Sequence, residues 1–105
     1  MATVVYNKAV RDLIPTIIRR AGKECSVEKV DDATFLSLLN DKLLEEVSEY
    51  QAKPSLTELA DVLETLMAIL RLSGHTWEEL EQERQQKAQQ RGAFVENLVL
   101  REVKD

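Results

Sequence analysis

Stretches in which apolar residues recur at helical spacing alternate along this chain with short polar breaks, and that alternation outlines most of its elements. From Ala9 to Ala21 the residues Val10, Leu13, Ile14, Ile17 and Ile18 recur three and four positions apart. Pro15 falls inside this run, so the helix is expected to begin near Leu13, with Pro15 in its first turn where the missing N–H does no harm. Gly22 is its stop. A second helix, from about Ala33 to Ala52, carries Phe35, Leu36, Leu39, Leu43, Val47 and Tyr50 on one broad face, with Asp31 and Asp32 as N-cap candidates. Lys53-Pro54 ends it. Ser55-Leu56-Thr57-Glu58 has the form of a capping box for a third helix, about 56–73, which Gly74 terminates. Thr76-Trp77-Glu78-Glu79 repeats that signature and opens a charged, Gln-rich helix to about Arg91, stopped by Gly92.

The remaining stretches follow a shorter period. Residues 3–6 are β-branched and aromatic, and with Asn7 behind them they read as a short strand or an extended arm. Residues 23–30 alternate loosely and read as extended. Phe94 to Val103, with Leu98, Val99 and Leu100, again reads as a strand or an extended arm. The expected architecture is all-α, a four-helix, bundle-forming fold with short N- and C-terminal strands or arms.

Composition narrows this picture. At 105 residues a second hydrophobic core would have too few residues to fill it, so 1–105 is expected to be a single domain. An apolar content of 44% with 31% charged residues favours a folded domain over disorder, and 3 Gly, 2 Pro and 5% aromatic residues disfavour a turn-rich β-sandwich. With 14 Lys and Arg against 19 Asp and Glu, the net charge of −5 argues against a domain that neutralises a nucleic-acid backbone. It leaves room for a small phosphorylated substrate carried on a metal ion. The lone Cys25 excludes an intramolecular disulfide; with no signal-like leader and no apolar run of membrane length, a cytoplasmic location without a membrane partner is expected.

The chemistry concentrates in Lys42-Leu43-Leu44-Glu45-Glu46-Val47-Ser48-Glu49 and in Glu58-Leu59-Ala60-Asp61. At about 100° per residue, Glu46 falls between Phe35 and Leu39 on the helix, pointing into the apolar face. Glu49 lies at the edge of that stripe and Glu45 farther out. On the following helix Asp61 lines up with Ala68 and Leu72, and Glu58 with Ile69 and Leu72, whereas Thr57, Glu64 and Arg71 take the solvated positions. If the chain reverses near Lys53 and Pro54, Glu49 faces Glu58 and Glu46 faces Asp61, each pair equidistant from the turn. Ionised carboxylates brought together near a core repel one another and lose hydration, so either some are protonated or a cation sits among them. An all-oxygen set suits a hard ion, Mg²⁺ or Mn²⁺. Taken singly, the same residues have local readings: Glu58 as the N3 residue of the capping box, Glu45 near Lys42 on a solvated face, and Glu49 paired with Lys53.

Lys42-x-x-Glu45-Glu46-x-x-Glu49 followed by Glu58-x-x-Asp61 resembles the EExxE and ExxD signature of the all-α nucleoside triphosphate pyrophosphohydrolases, the MazG-like and phosphoribosyl-ATP pyrophosphohydrolase-like superfamily. Tyr6-Asn7-Lys8-Ala9-Val10-Arg11-Asp12-Leu13-Ile14-Pro15 is similar to the YNKLVRDKIP motif of one branch, and Lys87-Ala88-x-x-Arg91-Gly92-x-Phe94 to its KxxERGGF element. The resemblance covers nearly the whole chain. It implies an α-helical fold that forms dimers or tetramers, Mg²⁺ held by acidic residues, and cleavage of a nucleotide between its α and β phosphates. Carried over, Glu46, Glu49, Glu58 and Asp61 are the metal ligands, with Glu45 a further ligand, an orienting group or the base acting on water. Only eight residues separate Glu49 from Glu58, fewer than in many MazG-like members, and the Ser-Tyr-Thr segment typical of histidine-pathway enzymes is missing. A nucleoside triphosphate is therefore the favoured substrate, and phosphoribosyl-ATP the alternative.

A triphosphate also needs cationic partners. Lys8 and Arg11 are the best placed by the motif, and Arg84, Lys87 and Arg91 share one face of the last helix. Local pairing of Lys87 with Glu83, and of Arg91 with its helix end, is the competing account. Trp77 and Tyr50 read as core residues before base-stacking ones, His75 as a cap or surface residue, and Cys25 as having no catalytic part. The third helix is apolar on most sides, through Leu66, Met67, Ile69, Leu70 and Leu72, which a single small bundle does not cover, so a homodimer or homotetramer is expected. A non-catalytic helical module for oligomerisation or regulation is the alternative of a different class.

Overall fold

Three side chains mark where the backbone turns into helix. Asp31 accepts from the Thr34 N–H at 2.8 Å, Ser55 from the Glu58 N–H at 3.1 Å and Thr76 from the Glu79 N–H at 3.2 Å. The computed structural model, which describes residues 2–105, accordingly contains α1 (Ile14–Arg20), α2 (Asp32–Ala52), α3 (Leu56–Leu72) and α4 (Trp77–Arg91). Pro15 sits in the first turn of α1, and Gly22, Gly74 and Gly92 adopt the left-handed backbone expected just past helix ends. The all-α expectation holds.

Among the described residues there is no strand, so the extended-arm alternative applies at both ends of the chain. Val4, Val5 and Tyr6 are exposed, as are Leu98, Val99 and Leu100. β-rich composition forms a strand only where a partner completes the hydrogen-bond ladder, and neither segment has one here.

The chain divides into two compact units, the first ending at Gly74 and the second running from His75 to Asp105. In the first, α2 and α3 pack against each other, and their link through Lys53, Pro54 and Ser55 is short enough to make them an antiparallel hairpin. The inward column of α2 runs Phe35, Leu39, Lys42 and Glu46, with Leu39 and Glu46 buried. Along α3 it runs Glu58, Asp61, Thr65, Ala68 and Leu72, with Thr65 buried and its hydroxyl satisfied by the Asp61 carbonyl at 2.9 Å. Both columns are apolar toward one end and acidic toward the other, so the hairpin packs through the first and concentrates charge at the second.

The second unit holds α4, whose cap is complete: the Glu79 side chain accepts from the Thr76 N–H at 2.9 Å while Thr76 accepts from Glu79. Trp77, expected in a core, is 46% exposed, because this polar helix offers its ring no apolar stripe to join. His75 lies at the surface, its Nδ1 3.4 Å from Glu79 Oε2.

Candidate metal centre

Glu46 from α2 and Glu58 and Asp61 from α3 each bring a carboxylate oxygen into one group, all within 4.8 Å of one another. The helical period and the short turn explain the meeting: both columns face the same interface, and the residues lie at matched heights from Pro54. Glu46 is 6% exposed, and its Oε2, like Oε2 of Glu58, is buried without a hydrogen-bond partner. Buried carboxylate oxygens are seldom left unsatisfied, and like charges at such spacing repel. Hard, anionic oxygens with open lone pairs are the donor set a divalent cation requires, so the residues present fit one.

The local readings account for less. Ser55 and Glu58 close only the forward half of a capping box, the bond from the Glu58 N–H, while the Glu58 carboxylate is turned into the acidic group. Among the described residues no ion pair joins Glu49 to Lys53. Glu49 stands outside the group of three and is exposed, yet the negative charge of Glu46 pushes its carboxyl above the usual range, with Glu45 and Glu58 adding to the effect.

Cations surround the group. Lys42 Nζ lies 3.2 Å from Glu46 Oε1, Lys8 Nζ 2.9 Å from Glu45 Oε1, and Arg11 Nη2 2.8 Å from Asp61 Oδ1. The hydrogen bond between Lys8 and Glu45 holds the Glu45 carboxyl below its ordinary range and the Lys8 ammonium above its own. Lys42 is the residue that sequence reasoning missed: set beside Glu45 at three positions, it pairs instead with Glu46 at four, about 40° round the helix against about 60° for three. That spacing was the available signal.

A pocket of about 460 Å³, the scale of a small-molecule site, opens beside these groups. Asp12, Glu46, Asp61 and Glu64 bring negative charge to its lining, Arg11, Lys42 and Arg71 positive charge, and Ile14, Phe35 and Leu39 an apolar wall. Glu64 and Arg71, read as solvated, are exposed and still border it. In the second unit Lys87 and Arg91 are exposed on α4 and, among the described residues, form no ion pair, so the Lys87–Glu83 pairing of the competing account is not made; Arg84 pairs with Glu81. Cys25 is half-buried, its Sγ 3.8 Å from the Pro15 carbonyl.

No helix among the described residues is long and apolar enough to cross a membrane. Compared with known proteins, the chain matches no family model, no curated protein and no solved structure.

Proposed function

We propose that the protein is a Mg²⁺-dependent nucleotide pyrophosphohydrolase of the MazG-like kind, converting a nucleoside triphosphate and water to a nucleoside monophosphate and pyrophosphate. The observation that carries this reading is the convergence of Glu46, Glu58 and Asp61 with two buried, unpartnered oxygens. Mg²⁺, with Mn²⁺ as substitute, supplies charge neutralisation at the phosphoryl oxygens and activation of water. Glu46, Glu58 and Asp61 hold it, with Glu49 adjacent to complete the set. Glu45, fixed by Lys8 on the outer flank, orients the entering water. The triphosphate lies toward Arg11 and Lys42 of the pocket lining and toward Lys8 on the same arm as Arg11, with its base against the apolar wall; in the second unit, Lys87 and Arg91 are separate phosphate-binding candidates. The working unit is a homodimer or homotetramer whose α2–α3 hairpins build the bundle, an arrangement supported by the exposed Leu59, Leu63, Leu66 and Met67 of α3.

The test is pyrophosphate release by purified protein with Mg²⁺ across ordinary and modified nucleoside triphosphates, with Glu46→Gln alongside. Release by the wild type and loss of at least a hundredfold in the variant are expected, on the order of the loss when a catalytic electrostatic group is removed. Absence of release on every substrate, with Glu46→Gln binding Mg²⁺ as the wild type does, sinks the reading and leaves a non-catalytic helical module. Phosphate and nucleoside diphosphate as products would move the cleavage to the other anhydride bond.

A further inference from the structure

Residues 2–13 form neither helix nor strand, yet this arm is fastened across both helices of the hairpin. Lys8 donates to Glu45 on α2 at 2.9 Å and Arg11 donates to Asp61 on α3 at 2.8 Å, with the small Ala9 buried between them. Asn7, in the left-handed region at φ 47°, turns the backbone just ahead of the first tether. The two tethers differ in kind. Glu45 lies outside the triad of converging oxygens, whereas Asp61 belongs to it. Arg11 therefore neutralises the same carboxylate that a divalent cation would use, and it does so with a side chain that is 52% exposed. Arg11 already lines the pocket beside the triad.

Two cations cannot each take full benefit of one carboxylate. A guanidinium gains little from a half-exposed pair, while a divalent ion gains from all three carboxylates at once, so the arginine is the one displaced. Displacement does not free the arm, because Lys8 on Glu45 stays in place. We propose that Arg11 is a tethered counter-cation of the triad: it holds Asp61 while the metal is absent, and on metal binding it swings about the Lys8 tether to meet the phosphates of a nucleotide in the pocket. This rests on the metal-site reading given above, and it makes Arg11 a substrate-binding residue whose two partners are used in turn. Metal and nucleotide are then coupled through one side chain, each favouring the other because both draw Arg11 the same way.

The experiment measures Mg²⁺ binding by calorimetry for the wild type, Arg11→Gln, Arg11→Lys and Glu58→Gln, and follows the amide signals of residues 7–13 by NMR during the titration. Arg11→Gln should bind Mg²⁺ about two- to fivefold more tightly than the wild type, the scale of an exposed ion pair relieved. Arg11→Lys should fall between them, and the arm signals should shift with saturation in the wild type. With Mg²⁺ saturating, a panel of α,β-methylene nucleoside triphosphates should bind Arg11→Gln more weakly than wild type. Opposite signs for metal and nucleotide are what a merely structural arginine does not produce. Equal or weaker Mg²⁺ binding by Arg11→Gln, or arm signals that do not move, overturns the proposal and leaves the metal site standing. Failure of the panel to bind the wild type overturns the hand-over to phosphate. If the wild type binds no Mg²⁺, or Glu58→Gln binds it as well as the wild type, the metal-site reading itself falls and takes this one with it.

Discussion

At the scale of single residues, Glu46 is the costly one. It occupies the inward column four turns along from Asp32, where a leucine would pack, and it leaves a buried oxygen without a partner. Glu46→Gln removes charge from a group of like charges, so thermal melts without metal should show a variant no less stable than the wild type. The wild type alone should then gain from Mg²⁺, by about 2.7 kcal/mol at a hundredfold excess over Kd. A contrasting case is Leu39, 4% exposed two column positions away, where truncation to Ala should cost about 2–5 kcal/mol in urea unfolding with Mg²⁺ binding retained. The acidic residues were readable in advance because helical period and a short turn are local facts that place Glu46, Glu58 and Asp61 on facing columns. Arg11 on Asp61 and Lys8 on Glu45 were readable only as basic residues in a motif. Their partners lie far along the chain, and an arm without periodicity carries no signal of where it docks.

At the scale of elements, the caps carry most of the legible order. Asp31, Ser55 and Thr76 each accept from the N–H three residues on, and all three were recognisable from residue type and spacing. The two capping-box signatures then diverge for a tertiary reason: Glu79 serves its own helix end and the neighbouring His75, whereas Glu58 faces Glu46 and Asp61. Ser55→Ala should therefore cost about 1 kcal/mol, and Thr76→Ala should remove the bond from the Glu79 N–H while keeping the one its own backbone N–H gives the Glu79 carboxylate, a partial loss that amide exchange at the start of α4 would register. Asp31 gives a pH dependence with a definite sign. Its hydrogen bonds from Thr34 hold the carboxyl below its ordinary value, so its contribution is complete above the unfolded-state pKa and is lost as pH falls through the depressed folded one. Exchange at the first turn of α2 should accelerate on acidification over that range, and Asp31→Asn should flatten the response. The terminal segments were ambiguous for the opposite reason, since strand or arm depends on a partner and not on the residues themselves.

At the scale of the molecule, the hairpin is underburied. Among the described residues no large side chain is wholly enclosed, while Leu59, Leu63, Leu66 and Met67 form a second apolar stripe on α3, opposite the one that meets α2. Light scattering at micromolar concentration should give a multiple of the chain mass, and Leu63→Glu should reduce it toward one chain. A monomer at that concentration in the wild type would count against the assembly. The triad, by contrast, is confined to positions 46–61, a single turn and its flanking helices. Bringing its members together closes only a short loop, so its formation is expected early in folding, where the mutual repulsion of its carboxylates would be met on the way up the barrier. Divalent cations should therefore act on kinetics as well as on equilibrium: the refolding limb of a chevron should quicken with Mg²⁺ while the unfolding limb stays nearly fixed, the signature of interactions already made in the transition state. The hairpin that is proposed to work on nucleotides would then also be the nucleus from which the chain folds.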